Sequence, residues 1–121
     1  MPTRLTIRLD FDPGRRLGAG KVALLEAIDA EGSISAAGRA HKMSYRRAWM
    51  LVDELNGLFA KPLVAAHHGG AQGGGAQLTE EGRRIVALYR NAETKMRSCA
   101  SVEIGAIEGA LSSPHPAAHV P

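Results

Sequence analysis

Between Ser33 and Met50 the sequence places Arg39, Lys42, Arg46 and Arg47 and no acidic residue, a local charge of +4 in a chain whose net charge is +3. Clustered cations suit a polyanion, and nucleic acid is the commonest one in a cytoplasm. The same charges also fit a solvated helix face, so the neighbouring elements decide between the two readings. Residues 1–32 hold five basic and five acidic side chains, which cancel. Other chemistries fail on spacing. Gly20 and Lys21 resemble the end of a phosphate-binding loop, but Arg15 stands where that loop needs glycine and Val22 where it needs a hydroxyl. His67, His68, His115, His119 and Cys99 are potential metal ligands. None of them pairs at helical spacing on an expected helix, and His115 and His119 lie among prolines, so no metal site is expected. No nucleophile elbow and no paired carboxylates on a common face are found, so the expectation is a non-enzyme without a cofactor.

The elements that must hold the cations follow from local signals. Thr3 to Asp10 alternates apolar and polar residues, the period of a half-buried strand, before Asp12, Pro13 and Gly14 interrupt it. Val22, Leu24, Leu25 and Ile28 predict a helix from about Ala19 to Ala30, stopped by Gly32. Ser33 then caps a short helix with Ile34, Ala37 and Ala40 on one side, and Ser44 caps another. In that second helix Ala48, Leu51, Val52, Leu55, Leu58 and Phe59 trace an apolar stripe, and Tyr45, Arg46 and Arg47 open the opposite face. Two short helices joined by a tight turn, the second beginning with basic residues, form a helix-turn-helix.

Leu63 to Ala66 and Ala76 to Leu78 are strand candidates separated by a stretch with five glycines in nine residues, which predicts a mobile hairpin tip, or wing, over about 65–77. Thr79 caps a further helix whose first turn carries Glu80 and Glu81. Ile85, Tyr89, Ala92, Met96 and Cys99 recur there in steps of four and three, a repeat of 3.5 residues suited to a partner helix. The same stripe also fits a helix that covers only its own domain. From Ser112 onward periodicity disappears, and 109–121 is expected to be a disordered tail.

Length and composition agree with one mainly α domain. The chain has 121 residues, 45% hydrophobic but only 4% aromatic, which favours a core of aliphatic side chains in packed helices. A single cysteine excludes an internal disulfide, no signal-peptide pattern opens the chain, and the apolar runs are far shorter than the ~20 residues of a membrane span. A cytoplasmic protein without membrane contact is the expectation.

Three stretches, Gly-Ser-Ile-Ser-Ala-Ala at 32–37, Ser-Tyr-Arg-Arg-Ala-Trp at 44–49 and Gly-Gly-Gly-Ala-Gln-Leu-Thr-Glu-Glu-Gly at 73–82, occur in the order and spacing of a known family. Over roughly residues 3–100 the chain resembles the N-terminal DNA-binding domain of the molybdate-responsive (ModE-type) transcriptional regulators, themselves related to LysR-like winged helices. The resemblance implies a mainly α winged helix-turn-helix with a small β-hairpin and a long dimerisation helix, about 80–105, within a domain spanning 1–108. It further implies a homodimer that places one recognition helix per subunit, about 44–59, into successive major grooves of an inverted repeat. Ile85, Tyr89, Ala92, Met96 and Cys99 would then lie at the subunit interface. The sequence departs from the family at Lys42, where the turn often has glycine, at His41, usually apolar, and around the wing, where Ala65, Ala66, His67 and His68 replace arginines. Wing contacts would therefore strengthen as the imidazoles protonate. Residues after 108 are too few for the molybdate-binding domain of two-domain members, so molybdate binding is not carried over.

Within this motif, Arg46 or Arg47 would read guanine or both would hold phosphate, and Met50 would face the groove. Tyr45 opens the recognition helix beside them, Ser44 caps that helix and can touch phosphate, and Arg39, Lys42, His67 and His68 are backbone candidates. Trp49 fits either the core or the sugar backbone. Two other functions use the same fold. One is a regulator sensing a metal or oxyanion on this domain or through a partner; the other is a protein-interaction module that does not bind DNA. The identity of any small-molecule effector is not legible.

Overall fold

In the computed structural model, residues 3–67 and 75–112 are described. The elements run β1 (Arg8–Phe11), β2 (Arg15–Gly18), α1 (Ala19–Glu31), α2 (Ile34–Ala40), α3 (Tyr45–Leu58), β3 (Val64–His67), β4 (Gly75–Leu78), α4 (Glu80–Cys99) and α5 (Ser101–Gly109). The strands form two separate antiparallel hairpins, β1–β2 and β3–β4. The fold is a mainly α winged helix-turn-helix with a long helix after the wing.

The helices begin and end where side chains can satisfy the backbone. Ser33 accepts from the Ala36 N–H at 2.9 Å, Ser44 from that of Arg47 at 3.1 Å and Thr79 from that of Gly82 at 2.9 Å. Each such cap stabilises its helix by about 1 kcal/mol. Gly32 ends α1 in the left-handed region at φ 77°, donating its N–H to Ile28. Val22, Leu24, Leu25 and Ile28 of α1 meet Ala48, Val52 and Leu55 of α3 in one core, closed by Leu63, Val64, Ala76 and Leu78 from the wing strands. Burial of each large aliphatic side chain contributes about 1.5–3 kcal/mol.

Five expectations change. The N-terminal strand spans Arg8–Phe11 instead of Thr3–Asp10, because a strand persists only where a partner runs opposite, and β2 pairs from Arg8↔Gly18 to Phe11↔Arg15. The supposed break at Asp12, Pro13 and Gly14 is the turn of that hairpin. Ala40 is exposed; Gly38 faces inward in its place, and a Cβ there would lie 3.0 Å from that of Ala48. The first wing strand is shifted by one residue, to Val64–His67 from Leu63–Ala66, and the second begins one residue earlier than expected, at Gly75, and ends at Leu78. The helix after the wing ends at Cys99, and after Ala100 a separate α5 carries on to Gly109, beyond the expected end near 105. The expected tail falls, from 113 onward, outside the described residues. Among the described residues no helix is long and apolar enough to cross a membrane.

Candidate nucleic-acid interface

Helices α2 and α3 pack closely because their crossing is lined by Ala37, Gly38 and Ala48. The turn between them is closed by Met43 N–H to Gly38 C=O at 2.9 Å, and Lys42 within it adopts φ 56°. A lysine therefore occupies a left-handed position that costs a non-glycine residue roughly 1 kcal/mol. The turn thus keeps a conformation that suits glycine although lysine stands there, and Lys42 is exposed.

Ser44, Tyr45, Arg46, Arg47 and Met50 are all exposed on the first turns of α3, Tyr45 at 61% and Met50 at 55%. Arg39, exposed at the end of α2, donates to Ser35 Oγ at 2.9 Å. Six ion pairs are formed among the described residues, and none involves Arg39, Lys42, Arg46 or Arg47. The +4 charge of the segment is thus not neutralised by internal carboxylates, the condition under which cations attract a polyanion. Trp49 packs against the core and meets Tyr45 edge to face, with ring centroids 6.2 Å apart. The core reading of Trp49 holds, and its ring supports Tyr45 from behind.

Three residues with structural consequences escaped sequence reasoning. Asp53 lies three residues after Met50 and seven after Arg46, on the same exposed side of α3. A carboxylate there can accept from a cytosine amino group and is repelled by phosphate. Asn56 fastens the wing: its Oδ1 accepts from the N–H groups of Leu63 and Val64 at 2.9 and 3.0 Å, and its Nδ2 donates to the Val64 carbonyl at 3.2 Å. Gly82 lets α4 approach the wing, since a Cβ would overlap the Leu63 carbonyl oxygen. No local pattern marks Asn56, and although Gly82 closes the family stretch at 73–82, the packing role of each is set by partners that only the tertiary fold brings near.

From the other side Ala76 donates to the Gly32 carbonyl at 2.9 Å, so the wing is joined to both α1 and α3. His67 is exposed at the end of β3, opposite Gly75; His68 lies outside the described residues. No group of three or more potential metal ligands is found among the described residues.

The residues expected at a subunit interface are divided. Tyr89 is buried within its own chain and donates to the Ile7 carbonyl at 2.6 Å, so it props the face from behind. Burial pushes its hydroxyl pKa up. Ile85 and Ala92 are half-buried, while Met96 and Cys99 are exposed. Beside them, Arg90 binds Glu26 of α1 and Glu93 of α4, each at 2.7 Å. The Arg90 hydrogen bond holds the Glu26 carboxyl below its ordinary value, and the two carboxylates raise the guanidinium pKa in turn.

No family model matches the chain. It is 49% identical over 90 residues to a molybdenum transport protein ModE of Azotobacter vinelandii, covering 74% of this chain and 33% of that one. A molybdenum-pterin-binding protein MopB of Rhodobacter capsulatus is 51% identical over 76 residues, 63% of this chain and 28% of its own length. The DNA-binding transcriptional dual regulator ModE of Escherichia coli K12 is 38% identical over 86 residues, covering 71% of this chain and 30% of the regulator. The chain spans about a third of the length of these curated relatives. With a winged helix-turn-helix that exposes an unneutralised basic turn, it is a homologue, over about 70% of its residues, of ModE regulators and Mop proteins.

Proposed function

We propose that the chain is a sequence-specific DNA-binding transcription regulator that acts as a homodimer. Helix α3 enters the major groove, Arg46 or Arg47 reads guanine, Met50 and Tyr45 contact neighbouring base edges, and Asp53 selects a base with an amino group. Arg39, Lys42 and Ser44 hold phosphates, and the β3–β4 wing with His67 and His68 lies along the backbone or minor groove. Residues 1–108 form the binding and dimerising unit. The supporting observation is the set of four exposed cations, free of carboxylate partners, within one capped helix-turn-helix.

Selection of genomic fragments by the purified chain, followed by footprinting, tests the reading. Protected inverted repeats with half-site centres about one helical turn or a multiple of it apart are expected. Protection of single unrepeated half-sites, or no enrichment of any fragment, contradicts it.

The names of the relatives favour a second reading, in which the regulator answers a molybdenum oxyanion on this domain or through a partner. Molybdate added to the purified chain and its operator is expected to leave affinity unchanged under the first reading; a shift supports the second.

A further inference from the structure

We propose that the cavity between the N-terminal segment, the start of α1 and the second half of α4 binds a small organic phosphate, its phosphate held by Arg4 and Arg97 and its hydroxyl-bearing body by Glu93. The site goes beyond the DNA-binding reading and does not depend on it. The cavity measures about 600 Å³, within the range of pockets that hold small molecules, and Arg4, Thr6, Arg90, Glu93, Thr94 and Arg97 line it.

The cationic half is Arg4 and Arg97. Arg97 donates to the Thr3 carbonyl at 3.0 Å, which ties α4 to the N-terminal segment and sets the next residue, Arg4, at the same cavity. None of the six ion pairs among the described residues involves either arginine. Two unneutralised guanidinium groups thus meet one cavity, and their planar forks of donors match a phosphate. Ala19 and Gly20 of α1 also line it, and that first turn has neither an acidic residue nor a side-chain cap, so its positive end adds to the arginines.

The other half recognises the body of the ligand. Arg90 is held by Glu26 and by Glu93, each at 2.7 Å, so it contributes geometry more than charge. The same contact fixes the Glu93 carboxylate at the cavity and leaves it acceptor capacity, while Thr6 and Thr94 add hydroxyl oxygens. A bare oxyanion has no donors for these groups; a phosphate ester with sugar-like hydroxyls uses both halves. DNA is not the source of the phosphate. The wing meets α1 at its far end, where Ala76 donates to the Gly32 carbonyl, roughly 18 Å along the helix from Gly20 at 1.5 Å per residue.

The test is a nuclear magnetic resonance titration of the full chain with AMP, inorganic phosphate and adenosine. AMP is expected to give saturable shifts at the amides of Arg4, Gly20 and Arg97, inorganic phosphate weaker ones at the same amides, and adenosine none. Arg4→Gln, at an exposed residue without an ion pair, should weaken AMP binding by about tenfold or more, the loss of a charge-assisted hydrogen bond, and leave operator affinity unchanged. Inorganic phosphate binding as tightly as AMP overturns the organic ligand. AMP shifts confined to residues 42–47, or no shifts at all, overturn the site. Loss of operator affinity in Arg4→Gln overturns it as well, by making Arg4 a DNA contact, and leaves the DNA-binding reading intact.

Discussion

Helices α3 and α5 both present exposed faces, but what lies behind them differs. Helix α3 exposes Tyr45, Arg46, Arg47 and Met50 in front of a fully buried stripe of Ala48, Val52, Leu55 and Leu58. Helix α5 exposes Val102 and Ile107 with nothing of its own buried. The first helix is held by its own chain and keeps its outer face free for chemistry; the second buries no side chain of its own. Exposed cations on a rigid helix suit a polyanion, while exposed aliphatic side chains on an unsupported one suit protein.

The largest expected effect breaks the α3 side of this contrast. Arg46→Ala with Arg47→Ala should lower operator affinity by about a hundredfold or more, two guanidinium contacts at ~1–3 kcal/mol each. Because both side chains are exposed and unpaired, the thermal midpoint should not move; fluorescence anisotropy and a melt on the same sample check both halves. A variant that loses affinity by unfolding would erase the distinction between face and frame.

Asn56→Ala attacks the frame. It leaves the N–H groups of Leu63 and Val64 without their acceptor, so unfolding in urea should show a loss of about 2–3 kcal/mol. Lys42→Gly sharpens the contrast with opposite signs. Relief of the left-handed strain, less the extra chain entropy of glycine, should stabilise the fold by about 0.5–1 kcal/mol. The same change should weaken DNA binding severalfold through loss of a phosphate contact.

The smallest effect concerns pH. Glu26 is held below its ordinary value of 4.5 by Arg90, so its contribution is complete above that value and disappears as pH falls through the lower, folded one. Arg90→Gln should flatten stability against pH below about 4.5, measured by urea titrations, and change it little in shape near neutrality.

The recognition half was legible because its signals are local. Ser33, Ser44 and Thr79 each precede a helix they cap, Gly32 stops α1, and the cations cluster within one short segment. What was missed depends on partners distant in sequence. Strand β2 has one apolar residue, Leu17, that is buried, and exists through pairing with β1. Gly38 was passed over for Ala40 because only the approach of α3 distinguishes which small residue faces inward. Asn56 reads as a surface amide until the wing folds back against it. On α4 the 3.5-residue stripe was visible, but not that Tyr89 would be taken up by the N-terminal segment of its own chain.

The most direct test of the central claim is the salt dependence of binding between the full chain and an inverted repeat recovered from genomic fragments. Arg39, Lys42, Arg46 and Arg47 in two subunits predict that the logarithm of affinity falls against that of salt with a slope steeper than about −4, and that Arg46→Ala with Arg47→Ala makes it shallower. A slope near zero, or one unchanged by the double substitution, would contradict the assignment of this face to DNA.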